Sequence, residues 1–291
     1  MVGIAQVSAY AKLNLTLDVT ARRPDGYHEV DMILQTVDLY DWLTLRISRK
    51  PGIRLKTNAA YLPCDENNLV YRAIAMLQSE FQIREGVEGY LHKFLPVAAG
   101  MGGGSSDAAA ALEGMNRLFG LGLTQKQLQE RGLRLGADVP FCVAGGTWHA
   151  GGIGEKLTRL PAPPACSVVV VKPPVSVSTR YVYENLKIET RGPYPHVNMA
   201  GVRAGLAAGN LEQIAGSLGN ILEEVTIPAF PVIAQIKSVL EEEGALRALM
   251  SGSGPTVFGI FRTEAQAMAA CARLMPENRV YRTRFCEKTV E

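Results

Sequence analysis

The segment Leu95-Pro-Val-Ala-Ala-Gly-Met-Gly-Gly-Gly-Ser-Ser-Asp-Ala-Ala-Ala-Ala-Leu112 gathers the residue types that hold a phosphate. Its glycines, Gly100, Gly102, Gly103 and Gly104, let the main chain bend and expose consecutive amides to a ligand. Ser105, Ser106 and Asp107 are good starters for the alanine-rich helix that follows. A glycine loop opening into a helix N-terminus offers unpaired N–H donors and the positive end of a dipole. The small residues 108–111 allow that helix to pack very close to a neighbour. No Lys follows the glycines, so this is not a Walker A loop. Ser105 stands where the dinucleotide pattern Gly-x-Gly-x-x-Gly needs its last glycine. A flexible loop before an alanine-rich helix has the same composition, and that reading stays open.

Three further places carry chemistry. Lys12 lies on the polar side of an alternating segment, with Asn14 two positions on and facing the same way. Phosphoryl transfer needs a fixed cation near the transferred group, although a solvated strand lysine shows the same pattern. Gly136-Ala-Asp-Val-Pro-Phe141 sets Asp138 among small and apolar residues at a helix end. A carboxylate there could accept a proton, its pKa adjusted by burial and a nearby cation; it could equally be a cap or turn aspartate before a proline. Ser251-Gly-Ser-Gly-Pro-Thr-Val-Phe258 is a second glycine–serine turn, suited to adding amides to an anion pocket or to nothing more than a tight turn.

The elements that must position these residues follow from periodicity. Val7, Ala9, Ala11, Leu13, Leu15, Leu17 and Val19 alternate with polar residues, which predicts a strand with one buried face. Pro24-Asp25-Gly26 makes a turn. Further strands are expected at 30–39 and 42–47, separated by Tyr40-Asp41, so the first third is mainly antiparallel β. A helix over 67–82 takes Asn67 or Asn68 as its cap. A strand at 90–95 feeds the glycine segment, the helix leaving that segment runs on through 112–119, and Thr124 caps a helix over 125–135 that ends at Gly136. The Pro-rich step at 160–164 sets a domain boundary, giving domains 1–160 and 161–291. Beyond it lie a strand at 166–171, helices at 199–208, 211–218, 231–243 and 264–274, and strands at 256–261 and 280–284. Strands and helices mix without strict β-α-β alternation, which predicts an α+β fold.

Composition narrows the function classes. Of 291 residues, 47% are hydrophobic, enough for a core and against disorder. Thirty Lys+Arg against 28 Asp+Glu leave +2, too balanced for a surface that holds nucleic acid throughout. Five cysteines, an odd number without a Cys-x-x-Cys pair, argue against a disulfide framework and a structural zinc site. The first residues resemble no signal or transit peptide, and no apolar run approaches the roughly 18 residues of a membrane helix. The expectation is a soluble, cytoplasmic protein.

Taken together and in order, the Lys12 strand, the Pro96–Ser106 loop and the late Gly-Ser-Gly turn resemble the three motifs of the GHMP kinase superfamily. Ala11-Lys-Leu-Asn-Leu-Thr-Leu17, Arg22-Arg-Pro-Asp-Gly-Tyr-His-Glu29 and Leu135-Gly-Ala-Asp-Val-Pro140 narrow the resemblance to the branch whose acceptor is a cytidine-linked sugar alcohol. Asp-Gly-Tyr-His is the most discriminating piece, because other members lack it. The resemblance covers about residues 8 to 261. It implies a two-domain fold, a ribosomal-protein-S5-like N-terminal domain and a C-terminal α/β sandwich, with the active site in the cleft between them. It also implies ATP-dependent phosphorylation of the tertiary 2-hydroxyl of 4-diphosphocytidyl-2-C-methyl-D-erythritol, with Mg²⁺ accompanying ATP, in non-mevalonate isoprenoid biosynthesis. Neither nucleic acid nor membrane is an expected partner, and the expected state is a monomer or weak homodimer.

Carried over position by position, the resemblance makes Asp138 the general base and Lys12 the cation that keeps it ionised and stabilises charge in transfer. Pro96, Val97, Ala98, Ala99, Gly100, Met101, Gly102, Gly103, Gly104, Ser105 and Ser106 wrap the ATP phosphates. Ser106 could approach Mg²⁺ but is not assigned as a ligand. Tyr27 offers an aromatic face to the cytosine, His28 hydrogen bonds to its edge, and Tyr183 closes the sandwich, with Tyr181 a near alternative. Asn14 steadies the methylerythritol part or the lysine. Met101 departs from the commoner Leu, a mild hydrophobic swap. The tail after Phe261 matches loosely and is assigned no role. Two alternatives remain: a kinase of homoserine or a mevalonate derivative, expected to lack Asp-Gly-Tyr-His, and a non-catalytic nucleotide-binding regulator, expected to have lost Lys12 or Asp138.

Overall fold

The computed structural model describes residues 3–188, 192 and 194–288. In chain order the first elements are β1 (Ile4–Arg22), β2 (His28–Ser48), β3 (Ile53–Thr57), α1 (Leu69–Glu80), β4 (Gly86–His92), α2 (Gly103–Phe119), α3 (Gln125–Leu133), α4 (Val139–Ala144), β5 (Thr147–Gly151) and β6 (Lys156–Arg159). There follow β7 (Ser167–Lys172), α5 (Thr179–Asn185), α6 (Met199–Ala208), α7 (Leu211–Ser217), β8 (Gly219–Asn220), α8 (Glu223–Ala229), α9 (Val232–Glu242), β9 (Arg247–Met250), β10 (Val257–Phe261), α10 (Glu264–Leu274) and β11 (Arg279–Thr283). The chain divides into two compact units. One comprises Met1–Ala11, Leu39–Val97 and Gly102–Gly145; the other comprises Lys12–Asp38, Ala98–Met101 and Gly146–Glu291.

In the first unit, β2 pairs antiparallel with β4 from Trp42↔His92 to Ser48↔Gly86, and β3 runs parallel to β4. β2 is a single strand rather than the two expected, because Asp41 does not turn the chain. Its buried carboxylate instead accepts hydrogen bonds from Phe94 N at 2.5 Å and Leu95 N at 2.8 Å. Helix α2 begins at Gly103 with Gly102 as its cap at φ +69°. The two serines and Asp107 therefore lie within its first turns instead of before them, and Ser106 Oγ donates to Gly103 O at 2.9 Å. Alanines 108–111 are fully buried, as their size predicts. A methyl added at Gly114 would stand 2.8 Å from a Leu45 methyl, so α2 lies directly on the strand layer. Thr124 caps α3 with a complete capping box to Gln127.

In the second unit, β1 and β2 continue around Pro24-Asp25-Gly26; β5 pairs with β2, β6 with β5, and β8 runs parallel to β1. A separate antiparallel sheet has the order β11-β7-β10-β9, with α9 and α10 packed on it. β1 departs from the one-faced strand its alternation predicts: residues 11–19 are all buried. The polar row survives burial because its members are bonded. Thr16 Oγ1 accepts from Ile33 N at 2.9 Å, and Asp18 accepts from His196 N at 2.6 Å and His196 Nδ1 at 2.9 Å.

Candidate active site

Three alternate residues of the glycine loop are left-handed: Ala98 at φ +52°, Gly100 at +71° and Gly102 at +69°. Alternating handedness of this kind turns successive amides toward one concavity, the main-chain form of an anion site. Gly100 has a second reason to be glycine, since an added Cβ would lie 2.2 Å from the Ser251 carbonyl oxygen. Met101 is buried, and its carbonyl accepts from Lys12 N at 3.0 Å.

The second unit joins pieces of all three sequence motifs. Ser251 Oγ donates to Gly100 O at 3.0 Å and accepts from Asn14 N at 3.3 Å. Asn220 fixes the same turn by donating to Met250 O and Gly252 O, both at 2.8 Å. Lys12 is 5% exposed, and its Nζ donates to Asn14 Oδ1 at 2.8 Å. A lysine held this way is a fixed charge rather than a mobile solvated one.

Asp138 belongs to the first unit, at the N-cap position of α4, but its side chain makes no capping bond to that helix. The helix it precedes is wholly buried, and a Cβ at Gly132 would stand 2.8 Å from Val139 Cγ1, so α3 and α4 meet at close range.

Tyr27, His28 and Tyr183 line one cavity of about 710 Å³, together with Arg22, Asp25 and Arg180. The His28 and Tyr183 rings are 5.0 Å apart and tilted by 41°. Tyr183 arrives on α5, whose N-cap Ser178 accepts from Tyr181 N. Tyr181 is not among the lining residues and is 45% exposed. The Tyr27 turn is held by Asp25, whose carboxyl is kept below its ordinary range by the Tyr27 N–H and then by Arg23. Thr179 Oγ1 lies 2.8 Å from Ser253 Oγ, tying this wall to the glycine–serine turn.

Sequence reasoning missed Asp41, Lys93 and Asp107. Lys93 Nζ pairs with Asp41 Oδ2 and with Asp107 Oδ2, the latter at 2.7 Å, all nearly excluded from solvent. Burial pushes the Asp107 carboxyl up to about 7 against the pull of Lys93. The available signal was a lone aspartate opening an otherwise small, apolar helix.

A GHMP kinase N-terminal domain matches residues 68–146, and a GHMP kinase C-terminal domain matches residues 202–278. Among solved structures, a homoserine kinase from Cytophaga hutchinsonii shares the fold at 22% identity and TM-score 0.78, over 98% of this chain and 95% of its own. Fold and loop thus define a class, the α+β small-molecule kinases that use ATP. A 4-diphosphocytidyl-2-C-methyl-D-erythritol kinase of Lachnospira eligens is 50% identical over 93% of both chains, and one of Exiguobacterium sibiricum is 50% identical over 90% of both. A crystal structure of 4-(cytidine 5'-diphospho)-2C-methyl-D-erythritol kinase matches with TM-score 0.81 at 32% identity, over 96% of this chain and 98% of its own. The chain belongs to the GHMP kinase family, in the branch of the 4-diphosphocytidyl-2-C-methyl-D-erythritol kinases. Among the described residues no helix is long and apolar enough to cross a membrane.

Proposed function

We propose that this chain transfers the terminal phosphoryl group of ATP to the 2-hydroxyl of 4-diphosphocytidyl-2-C-methyl-D-erythritol, releasing ADP, in the cytoplasm. Residues 1–160 correspond to the family's N-terminal domain with the phosphate loop, and residues 161–291 to its C-terminal domain, which contributes to the substrate site. The observation that carries the reading is the cavity where Tyr27, His28 and Tyr183 converge, in a chain that also has the phosphate loop of its family. Tyr27 and Tyr183 present faces for a pyrimidine, and His28 reads its edge. Arg22 and Arg180 on the same wall offer positive charge to a diphosphate.

Asp138 takes the proton of the 2-hydroxyl as its oxygen bonds to the γ-phosphorus. The bond from that phosphorus to the β–γ bridging oxygen breaks, and ADP leaves with the electron pair. Lys12, pinned by Asn14, stabilises the charge spread over the transferring group, and the loop Pro96–Ser106 wraps the phosphates it leaves behind through its main-chain amides after Pro96. Mg²⁺ would neutralise phosphate charge. Ser106 Oγ donates its hydrogen to Gly103 O and keeps its lone pairs, so it would be the side chain to approach a Mg²⁺ otherwise held through nucleotide phosphates and water.

The test is a coupled ADP-release assay across acceptors. The cytidine-linked methylerythritol should be turned over with kcat/KM at least about a hundredfold above homoserine or mevalonate, the scale of loss when a site's polar groups go unmatched. Equal turnover of homoserine would overturn the assignment.

A further inference from the structure

We propose that Asp41, Lys93 and Asp107 form a clamp that positions the phosphate loop, joining the chain that enters the loop to the helix that leaves it; the proposal rests on the ATP-dependent reading above. On the entering side, Asp41 Oδ1 accepts from Phe94 N and Leu95 N, the last two amides before Pro96. On the leaving side, Asp107 projects from the start of α2, and a Cβ at Gly103 would stand 3.5 Å from Lys93 Nζ. Lys93 is the shared link, donating to both carboxylates from a side chain only 5% exposed. The residues from Pro96 to Gly102 are thus anchored at both ends by one buried cation. Fixing both ends removes conformational freedom that a ligand would otherwise have to remove, which raises affinity without any direct contact.

The charge count says the cluster is more than a packing feature. One ammonium serves two buried carboxylates, and Asp107 Oδ1 has no hydrogen-bond partner. Replacing a buried charged triad by well-packed apolar residues is often neutral for stability, and fixing one conformation is an attested use of such groups in some proteins. Lys93 and Asp41 are the charged groups that act on Asp107. They are positioning residues, since they bond to each other and to the main chain of Phe94 and Leu95.

The experiment measures KM for ATP, KM for the acceptor, kcat, ADP affinity by calorimetry and melting temperature in Lys93→Met, Lys93→Arg and Asp107→Asn. Lys93→Met should weaken ATP and ADP by about tenfold or more, while acceptor KM stays within about twofold. Lys93→Arg, which keeps the charge, should recover to within about threefold of the starting protein. Should Lys93→Met fail to fold, Asp107→Asn preserves the shape and should still weaken ADP by about threefold with acceptor KM unchanged. A lowered melting temperature with unchanged ADP affinity in the folded variants overturns the clamp. Failure of the starting protein to phosphorylate the cytidine-linked acceptor would count against the functional reading alone, because ADP affinity reads the clamp independently.

Discussion

Asp138 is the residue proposed as general base. It occupies a cap position without capping. Asp138→Asn should lower kcat by roughly a hundred- to ten-thousandfold, the range of general-base assistance, and leave KM for ATP nearly unchanged; steady-state kinetics with each substrate varied decides. In the Tyr27 cavity, Tyr183 is a lining residue and Tyr181 is not. Tyr183→Ala should raise acceptor KM by about 5- to 150-fold, the equivalent of a lost stacking contact of roughly 1–3 kcal/mol. Tyr181→Ala should leave it unchanged. Asp107 supplies a pH test. Burial holds its folded carboxyl at about 7, above the unfolded value of 3.8, against the pull of Lys93. Between those pH values the folded protein keeps a proton the unfolded chain has lost, so this group's contribution to stability falls as pH rises through the window. The melting temperature relative to Asp107→Asn should therefore decline from pH 4.5 to pH 7.5, and an unchanged difference would contradict the assignment.

At the scale of elements, the phosphate loop depends on a close approach that only glycine permits. Gly100→Ala puts a Cβ 2.2 Å from a carbonyl oxygen at φ +71°. The left-handed backbone alone costs about 1–2 kcal/mol, and the overlap adds to it. Melting should fall by several degrees, on the order of 4 °C, with ADP binding lost in calorimetry. Local signals made many elements legible: α6 and α10 fall where their periodicity sets them, and the Thr124 capping box forms as the residue types require. What stayed hidden depends on partners distant in sequence. Tyr40-Asp41 reads as a break because an aspartate suits a turn, and only the amides of Phe94 and Leu95 make it a buried strand residue. Helix α8 contains Pro228, a local argument against helix that the surrounding packing overrides. The alternation in β1 predicts one wet face, yet Lys12, Asn14, Thr16 and Asp18 are all buried: Lys12 bonds Asn14, while Thr16 and Asp18 are satisfied by Ile33 and His196, distant in sequence.

At the scale of the whole molecule, the motif residues were legible individually while their connections were not. Nothing in the spacing of Asn14, Gly100 and Ser251 says that one serine hydroxyl bonds to the other two, yet that contact turns a strand, a loop and a turn into one assembly. The Tyr27 cavity was readable because Asp-Gly-Tyr-His is local. The Asp41–Lys93–Asp107 cluster was not, because its members lie 14 to 66 residues apart. The central claim, transfer of a phosphoryl group to a tertiary alcohol of a cytidine-linked substrate, is tested most directly by phosphorus NMR of the product. Incubation of the protein with ATP, Mg²⁺ and 4-diphosphocytidyl-2-C-methyl-D-erythritol should give one new phosphomonoester resonance at the 2-position, in step with ADP. Release of ADP with no such resonance, or phosphate appearing on a primary hydroxyl, would contradict it.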